Sequence, residues 1–550
     1  MSKKAELKKI ILNLTGGASA AVVVLGLIIF LSMIIGGNNW DVNPYCKLSL
    51  AIPNILLFPI ALILFSLYVA LNFLVTKKKA DNTIAETGID KKKFLIVSIS
   101  LVLIYALWYF VNIKISKKTA FFTGWDPSCV QGTAYKLFNG EKIGAESYYS
   151  TYPNNVPMAW ILYRTFDFIK GVKSYRYYPE FFWIQLLCAM ESLTGIFLGI
   201  ASYVWTKKIM PVVFSAVLFI ALAGISPWSL IPYTDTFSIL FPIMALCFYF
   251  IYLEMKKNAR YILLFAAYIL LVMGSLIKIT VIIVLISIII SELFRILIFN
   301  EENRKRIFVV LLPLFLTIPL YFGAKNFMYK DTGAELTENV AVSWQHYFYM
   351  GLIEETTGAY NSGAFSLIGK YQFEPKAERN RKELELAGEI LKERKFFGSA
   401  FFYLKKLVMS YNDGTFTWRG EGGMILGEYP DISSPRFTEE LRSFLWNGGE
   451  HELAFNTYSQ CVWILILLAA LANMAAVSYR IFTEKKVDFK SFSAALSIVG
   501  ITLFIMLFEA RARYFYNYIP VFILLASCIV FNACIKKRKK PSKEQSAQSL

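Results

Sequence analysis

The sequence predicts an all-α polytopic membrane protein with about twelve transmembrane helices and one further re-entrant or interfacial helix. Three observations carry that reading. Hydrophobic residues make up 56% of the 550 and charged residues only 17%, where a soluble domain carries about a quarter charged. The apolar residues fall in long runs, and a helix needs about 20 such residues to cross a bilayer. The 57 Lys and Arg outnumber the 39 Asp and Glu, and they sit in short clusters between the runs. That is the pattern of topology signals, not of a nucleic-acid surface. A soluble enzyme, a disordered chain and nucleic acid as a partner are therefore excluded. The seven cysteines form no CxxC pair, and Cys188, Cys247, Cys528 and Cys534 lie in or beside apolar runs. With His346 and His451 as the only histidines, neither a disulfide framework nor a multi-histidine metal site is expected.

Taken in order, the basic stretch 1–9 leads into the first run without a small-residue cleavage site, so 18–36 reads as a retained helix. Further spans are expected at 51–75, 94–114, 181–204, 211–226, 236–254, 261–274, 279–299, 307–323, 460–478, 490–508 and 514–534. Alternation from a cytoplasmic N-terminus puts Lys77 to Lys79 with Lys91 to Lys93, Lys207 and Lys208, Lys256 to Arg260, Arg304 to Arg306, Arg480 to Lys490 and Lys536 to Lys540 inside. Every dense basic cluster then obeys the positive-inside rule, with both termini cytoplasmic. The run 156–169 holds Arg164 and Asp167 and is too short to span, and counting it as a crossing would reverse the C-terminus; it reads as re-entrant or interfacial.

Two long outer-face segments remain, 115–180 and 324–458. The chain divides into an N-terminal helix pair with its basic loop (1–93), a membrane core (94–323), the outer segment 324–458, C-terminal helices (459–535) and a basic tail (536–550). Within 324–458 the polar stretch Lys376 to Lys395 gives way to the aromatic and basic Phe396 to Met409. Such a switch suits a helix that leaves water and lies along the membrane surface.

Five short stretches carry possible chemistry. Phe121-Phe-Thr-Gly-Trp-Asp-Pro127 sets Asp126 where a helix emerges from the bilayer. A partly desolvated carboxylate there suits a general base, while Asp followed by Pro is equally a helix N-cap signal for a helix 128–138. Tyr148 to Pro157 offers Tyr149, Tyr152, Asn154 and Asn155. Tyrosines and amides hold sugar rings, and Pro-Asn-Asn is also ordinary turn chemistry. Asp235, in Tyr233-Thr-Asp235 at the start of a span, reads as a functional acid or as a cap. Lys278, between two very apolar stretches, suits a phosphate or an ion-pair partner. Finally, Phe508-Glu-Ala-Arg-Ala-Arg-Tyr514 sets Arg511 and Arg513 beside Glu509 at a helix end, a fork for phosphate or an internal acid–arginine network.

The order of these motifs, with their sidedness, resembles the GT-C superfamily of integral-membrane glycosyltransferases, in particular bacterial relatives of the protein O-mannosyltransferases and of the lipid A aminoarabinose transferase. The resemblance spans roughly 94–535, and the first helix pair departs from the family's usual start. It implies a polyprenyl-phosphate sugar donor, an envelope glycan, lipid or protein acceptor, and an inverting transfer at the outer face of a bacterial cytoplasmic membrane. On this resemblance Asp126 is the catalytic base, Asp235 orients the acceptor or holds a cation, and Lys278, Arg511 and Arg513 bind the donor phosphate. His346, Tyr347, Asp413, Trp418 and Glu421 line the acceptor side or pack the second outer loop. Members of the family differ in whether they need a divalent cation, and no sequence feature here decides between the two; no other cofactor is implied. The rival classes are a transporter or flippase of lipid-linked saccharides and a glycan polymerase or ligase; the absence of a visible inverted repeat and the charged sites gathered on one side weigh against transport.

Overall fold

A computed structural model describes residues 3–80, 90–171, 178–299, 306–429 and 436–529. Arg304, Cys534 and the basic cluster Lys536 to Lys540 lie outside them. Ten helices among the described residues are long and apolar enough to cross a membrane. They are built on α1 (Lys3–Gly36), α2 (Asn54–Ala80), α3 (Lys91–Thr119), α4 (Glu180–Thr206), α5 (Leu240–Glu254), α6 (Arg260–Ile277), α7 (Ile282–Phe294), α8 (Arg306–Asp331), α9 (Glu452–Glu484) and α10 (Phe489–Leu507), with flanking turns extending α5 and α7 to the spans Thr234–Glu254 and Ile279–Ile298. Their ends follow local chemistry. Asp90 caps α3 by accepting from the amides of Lys92 and Lys93, and α4 and α9 stop at Lys207 and Lys485 in the left-handed region.

The count is two below the twelve expected from sequence. The run at 211–226 forms only Ile209–Phe219, followed by a π-helical turn Ile220–Gly224. Gly224 packs so closely on Trp108 that a Cβ would lie 2.9 Å from the indole nitrogen, and Pro227 follows. The run at 514–534 opens as a 3-10 turn, Ala512–Tyr518, before the nine-residue helix Ile519–Ser527. Helix Val156–Ile169 has 14 residues, about 21 Å at 1.5 Å per residue, and buries one face including Val156, Leu162, Phe166 and Ile169.

In the bundle α5 is central, α1 and α2 pack on α9, and α3 packs on α4. The α3–α4 seam depends on small residues: a Cβ on Gly195 would meet Tyr105 at 2.1 Å, and one on Gly199 would meet Leu101 at 2.6 Å. Leu103, Leu107 and Phe110 on the far side of α3 are exposed, as expected of a surface facing hydrocarbon. One charge pair lies inside the bundle, where Arg295 is 2.6 Å from Glu292, whose carboxylate also accepts from Tyr249 and Tyr252.

At one end of the bundle the segments 115–180 and 324–458 meet. Their junction is a two-stranded antiparallel sheet, β1 (Phe121–Thr123) with β2 (Ile425–Glu428), in the register Phe121 to Glu428 and Phe122 to Gly427. The otherwise all-helical fold uses this pairing to fix Asp126, three residues after β1, beside Glu421, four residues before β2. The helix Lys376–Tyr411 breaks at Lys395, which has φ 57° and ψ −176°. That is where polar sequence gives way to aromatic, and Phe396, Phe397 and Phe401 beyond the break are exposed.

Candidate active site

Between these segments and the ends of α6, α8 and α10 lies a cavity of about 1,060 Å³. Of the residues singled out by sequence, Asp126, Tyr152, Asn154, Asn155, Lys278, Tyr347, Glu421, Arg511 and Arg513 line it. The long-range convergence expected of a site is therefore present.

Asp126 does not cap its helix. The helix starts one residue earlier, as Trp125–Phe138, with Gly124 at the N-cap and no side-chain cap bond. Gly124 N donates to Met424 O at 3.1 Å across the β1–β2 pairing, and Trp125 turns the chain with φ 53°. The Asp126 carboxylate is thus aimed into the protein, where Oδ2 accepts from the Tyr233 hydroxyl at 3.2 Å. Asn155 Nδ2 supports this contact by donating to the hydroxyls of Tyr148 (2.6 Å) and Tyr233 (3.3 Å). Burial pushes the Asp126 carboxyl above the usual carboxylate range, while Arg513 and the hydroxyls of Tyr148 and Tyr233 pull it partly back. A carboxylate held in this way can accept a proton from a substrate hydroxyl.

Nor does Asp235 cap: it is the second residue of the short helix Thr234–Phe237, with Tyr233 at the N-cap. It is 1% exposed and does not line the cavity. Instead Oδ1 lies 2.7 Å from Lys278 Nζ and Oδ2 lies 3.3 Å from Arg513 Nε. The chain of charges continues. Arg513 Nη1 is 3.0 Å from Glu421, Arg511 pairs with the other oxygen of Glu421, and Arg511 Nε is 3.3 Å from Glu509. Glu509 accepts from the Tyr514 hydroxyl at 2.6 Å. Three cations thus alternate with three carboxylates, and aromatic faces cover them: Arg513 lies 4.4 Å from the Trp125 ring centre and Lys278 4.5 Å from that of Tyr514. Despite burial, Glu421 first and then Glu509 hold Arg511 above its ordinary basicity, and Glu421 and Asp235 do so for Arg513.

Four sequence candidates lie elsewhere. Tyr149 is buried against the Tyr148 ring at 5.2 Å. His346 is buried with Nδ1 2.7 Å from Glu383. Trp418 packs on Trp228 and donates to Leu445 O at 3.0 Å, and Asp413 closes its own turn by accepting from Thr415 and Thr417. None of the four lines the cavity. Conversely, sequence reasoning missed Lys325, and it missed Asn43, Pro44 and Tyr45 between α1 and α2, all of which line it. The loop carrying Tyr45 interlocks with the Glu421 segment: a Cβ on Gly420 would lie 2.1 Å from Tyr45 O. The first helix pair thereby gains a place in the site. Among the described residues no group of three or more His, Cys, Asp or Glu could hold a metal ion. Asp235, Glu421 and Glu509 are each taken up by cations, so the residues present do not fit a divalent-cation site.

Among solved structures, the archaeal oligosaccharyltransferase AglB from Archaeoglobus fulgidus, in complex with an inhibitory peptide and a dolichol-phosphate, is similar to this chain at 12% identity and a TM-score of 0.39. The similarity covers 78% of this chain and 50% of AglB, so the chain spans about half the length of that protein. No curated protein matches. The model of a family described as conserved hypothetical integral membrane protein matches residues 25–534. That is nearly the whole chain, from the last third of α1 through α2 and onward, with every lining residue named above, and the chain belongs to this family of integral membrane proteins.

Proposed function

We propose that the chain is a GT-C-type membrane glycosyltransferase acting at the outer face of a bacterial cytoplasmic membrane, with both termini inside. It takes a sugar from a polyprenyl-phosphate donor and transfers it, with inversion, to a hydroxyl of an envelope glycan, lipid or protein. The observation that carries this reading is the cavity in which a half-buried carboxylate, Asp126, held by the Tyr233 hydroxyl, faces the same space as Lys278, Arg511 and Arg513. Inverting transfer needs those two halves. A base must take the acceptor proton as its oxygen attacks the anomeric carbon. Cations must stabilise the phosphate as the glycosidic C–O bond breaks and the lipid phosphate leaves with the electron pair. Tyr152, Asn154 and Asn155 offer a ring face and amides to the sugar. Asp235 acts through Lys278 and Arg513 and is a positioning residue.

The test is to incubate purified protein with candidate polyprenyl-phosphate sugars and an acceptor and to follow release of free lipid phosphate. Asp126→Asn should fold, bind donor and lose roughly two to four orders of magnitude in turnover, the range for a lost general base. An Asn variant at wild-type rate removes Asp126 as base, and a protein that binds every donor and releases none is a transporter of lipid-linked saccharides instead.

A further inference from the structure

We propose that Lys325 is an additional phosphate-binding residue of the cavity, one that engages the phosphate of a lipid-linked substrate where it enters from the bilayer. The substrate class rests on the glycosyltransferase reading; the placement rests on the geometry that follows.

Four cations among the described residues line the cavity: Lys278, Lys325, Arg511 and Arg513. Lys278, Arg511 and Arg513 each sit within 3.3 Å of an internal carboxylate. Among the described residues no carboxylate lies within ion-pair distance of Lys325, and its Nζ lies 5.4 Å from the ring centre of Tyr329. An incoming anion must compete with Asp235, Glu421 or Glu509 for the first three. At Lys325 it meets no such competing carboxylate among the described residues, so the net gain from a charge-assisted contact is larger there.

The helix itself is built for such a contact. Tyr321, Lys325 and Tyr329 are spaced i, i+4 and i+8 on α8, and all three line the cavity. Phe308, Leu312, Phe315 and Phe322 on the same helix are exposed, as a lipid-facing stripe is. Lys325 stands six residues, about 9 Å at 1.5 Å per residue, before the helix ends at Asp331. That puts a cation near the level where headgroups begin. The helix end is pinned: the Tyr329 hydroxyl donates to Pro153 O, and Asp331 accepts from Trp160 at 2.7 Å and Arg164 at 2.8 Å. Pro153 opens the segment that carries Asn154 and Asn155, so Lys325 is tethered to the sugar-facing wall. Ile279, next to Lys278, lines the cavity and yet is 54% exposed. The cavity therefore has a rim on the apolar outside of the bundle, over which a hydrocarbon chain can leave.

The experiment measures binding of undecaprenyl phosphate, and separately of inorganic phosphate, to the full chain in detergent, using wild type, Lys325→Met and Lys325→Arg. Lys325→Met should bind the lipid phosphate at least about tenfold more weakly, with Lys325→Arg close to wild type. Inorganic phosphate bound far more weakly than the lipid identifies the lipid headgroup as the source. Equal, Lys325-dependent binding of both probes identifies a free phosphate, with the site intact and its entry from the bilayer overturned. A Lys325→Met protein that melts like wild type and binds the lipid phosphate equally well overturns the proposal; should that variant fail to fold, Lys325→Gln makes the same comparison. Lys325-dependent binding without sugar transfer from any donor sinks the transferase reading and leaves this site standing, whereas wild type binding neither probe sinks both.

Discussion

Replacing Asp235 by Asn tests how the cavity's charges are organised, because it should move stability and anion affinity in opposite directions. The side chain keeps its shape and loses one negative charge between Lys278, 2.7 Å away, and Arg513, 3.3 Å away. Removing one partner of a fully buried pair costs about 3–5 kcal/mol. The cost here should fall below that range, at about 2–3 kcal/mol. Arg513 keeps Glu421 at 3.0 Å, and Lys278 is 15% exposed toward the cavity. The second effect has the opposite sign: Lys278 loses its internal competitor and Arg513 one of two, so a phosphate should bind about tenfold more tightly, the value of one charge-assisted contact. Thermal unfolding in detergent with and without a polyprenyl phosphate reads both quantities, as a lower melting temperature and a larger ligand-induced rise. An Asn variant that melts like wild type, or one whose phosphate affinity collapses with its stability, would refute the idea that Asp235 holds these cations by charge. Lost turnover with unchanged donor binding would instead return Asp235 to a direct catalytic role.

Tyr233→Phe keeps the ring against Trp125 but removes a hydrogen bond that favours the ionised Asp126. Burial already holds that carboxyl high, and a base works only when ionised, so the acid limb of kcat/KM should move to higher pH with the plateau retained; a limb that stays or moves down contradicts the assignment. Gly420→Ala sets a Cβ 2.1 Å from Tyr45 O and should cost about 1–3 kcal/mol of stability as overpacking while weakening donor binding through the displaced Glu421 segment. Wild-type melting would mean the loop between α1 and α2 gives way freely. Cys129 is exposed and should react with an impermeant thiol reagent in intact cells, whereas a cysteine placed at position 78 should not. The reverse pattern would invert the membrane orientation and move the site to the cytoplasm.

What could be read from the sequence was what depends on neighbours along the chain. Apolar runs and basic clusters define the helices, and the polar-to-aromatic switch at 395 and 396 marks the break at Lys395. The local chemistry of Asp126 and Asp235 also suggested caps, and both cap readings fail for one reason. Each helix begins at least one residue earlier than the acid, because tertiary contacts, the β1–β2 pairing for Asp126 and the ion pairs for Asp235, set the chain's path. What could not be read is pairing between residues far apart in the chain. Nothing near Glu421 says that it will bridge Arg511 and Arg513, nor does the stretch between the first two helices announce Tyr45 in the wall of a cavity it reaches only through Gly420. Lys325 carried a readable signal, the i, i+4, i+8 spacing with Tyr321 and Tyr329, but within an apolar helix that spacing looks like snorkelling until a cavity is seen beside it.

The alternation of cations and carboxylates bears on catalysis. If Lys278, Arg511 and Arg513 stood bare, they would bind the donor's phosphodiester and the departing phosphate with similar strength, and binding the ground state as well as the transition state does not speed the chemical step. Each is instead shared with Asp235, Glu421 or Glu509. A singly charged diester competes poorly against a carboxylate already in place. A phosphate gaining its second negative charge as the glycosidic bond breaks competes well. The internal acids thus hold back part of the cations' attraction until the leaving group develops charge, so on the proposed reading they set the difference between ground-state and transition-state binding without touching the sugar. By the same logic, neutralising any one of them should tighten donor binding more than it raises turnover.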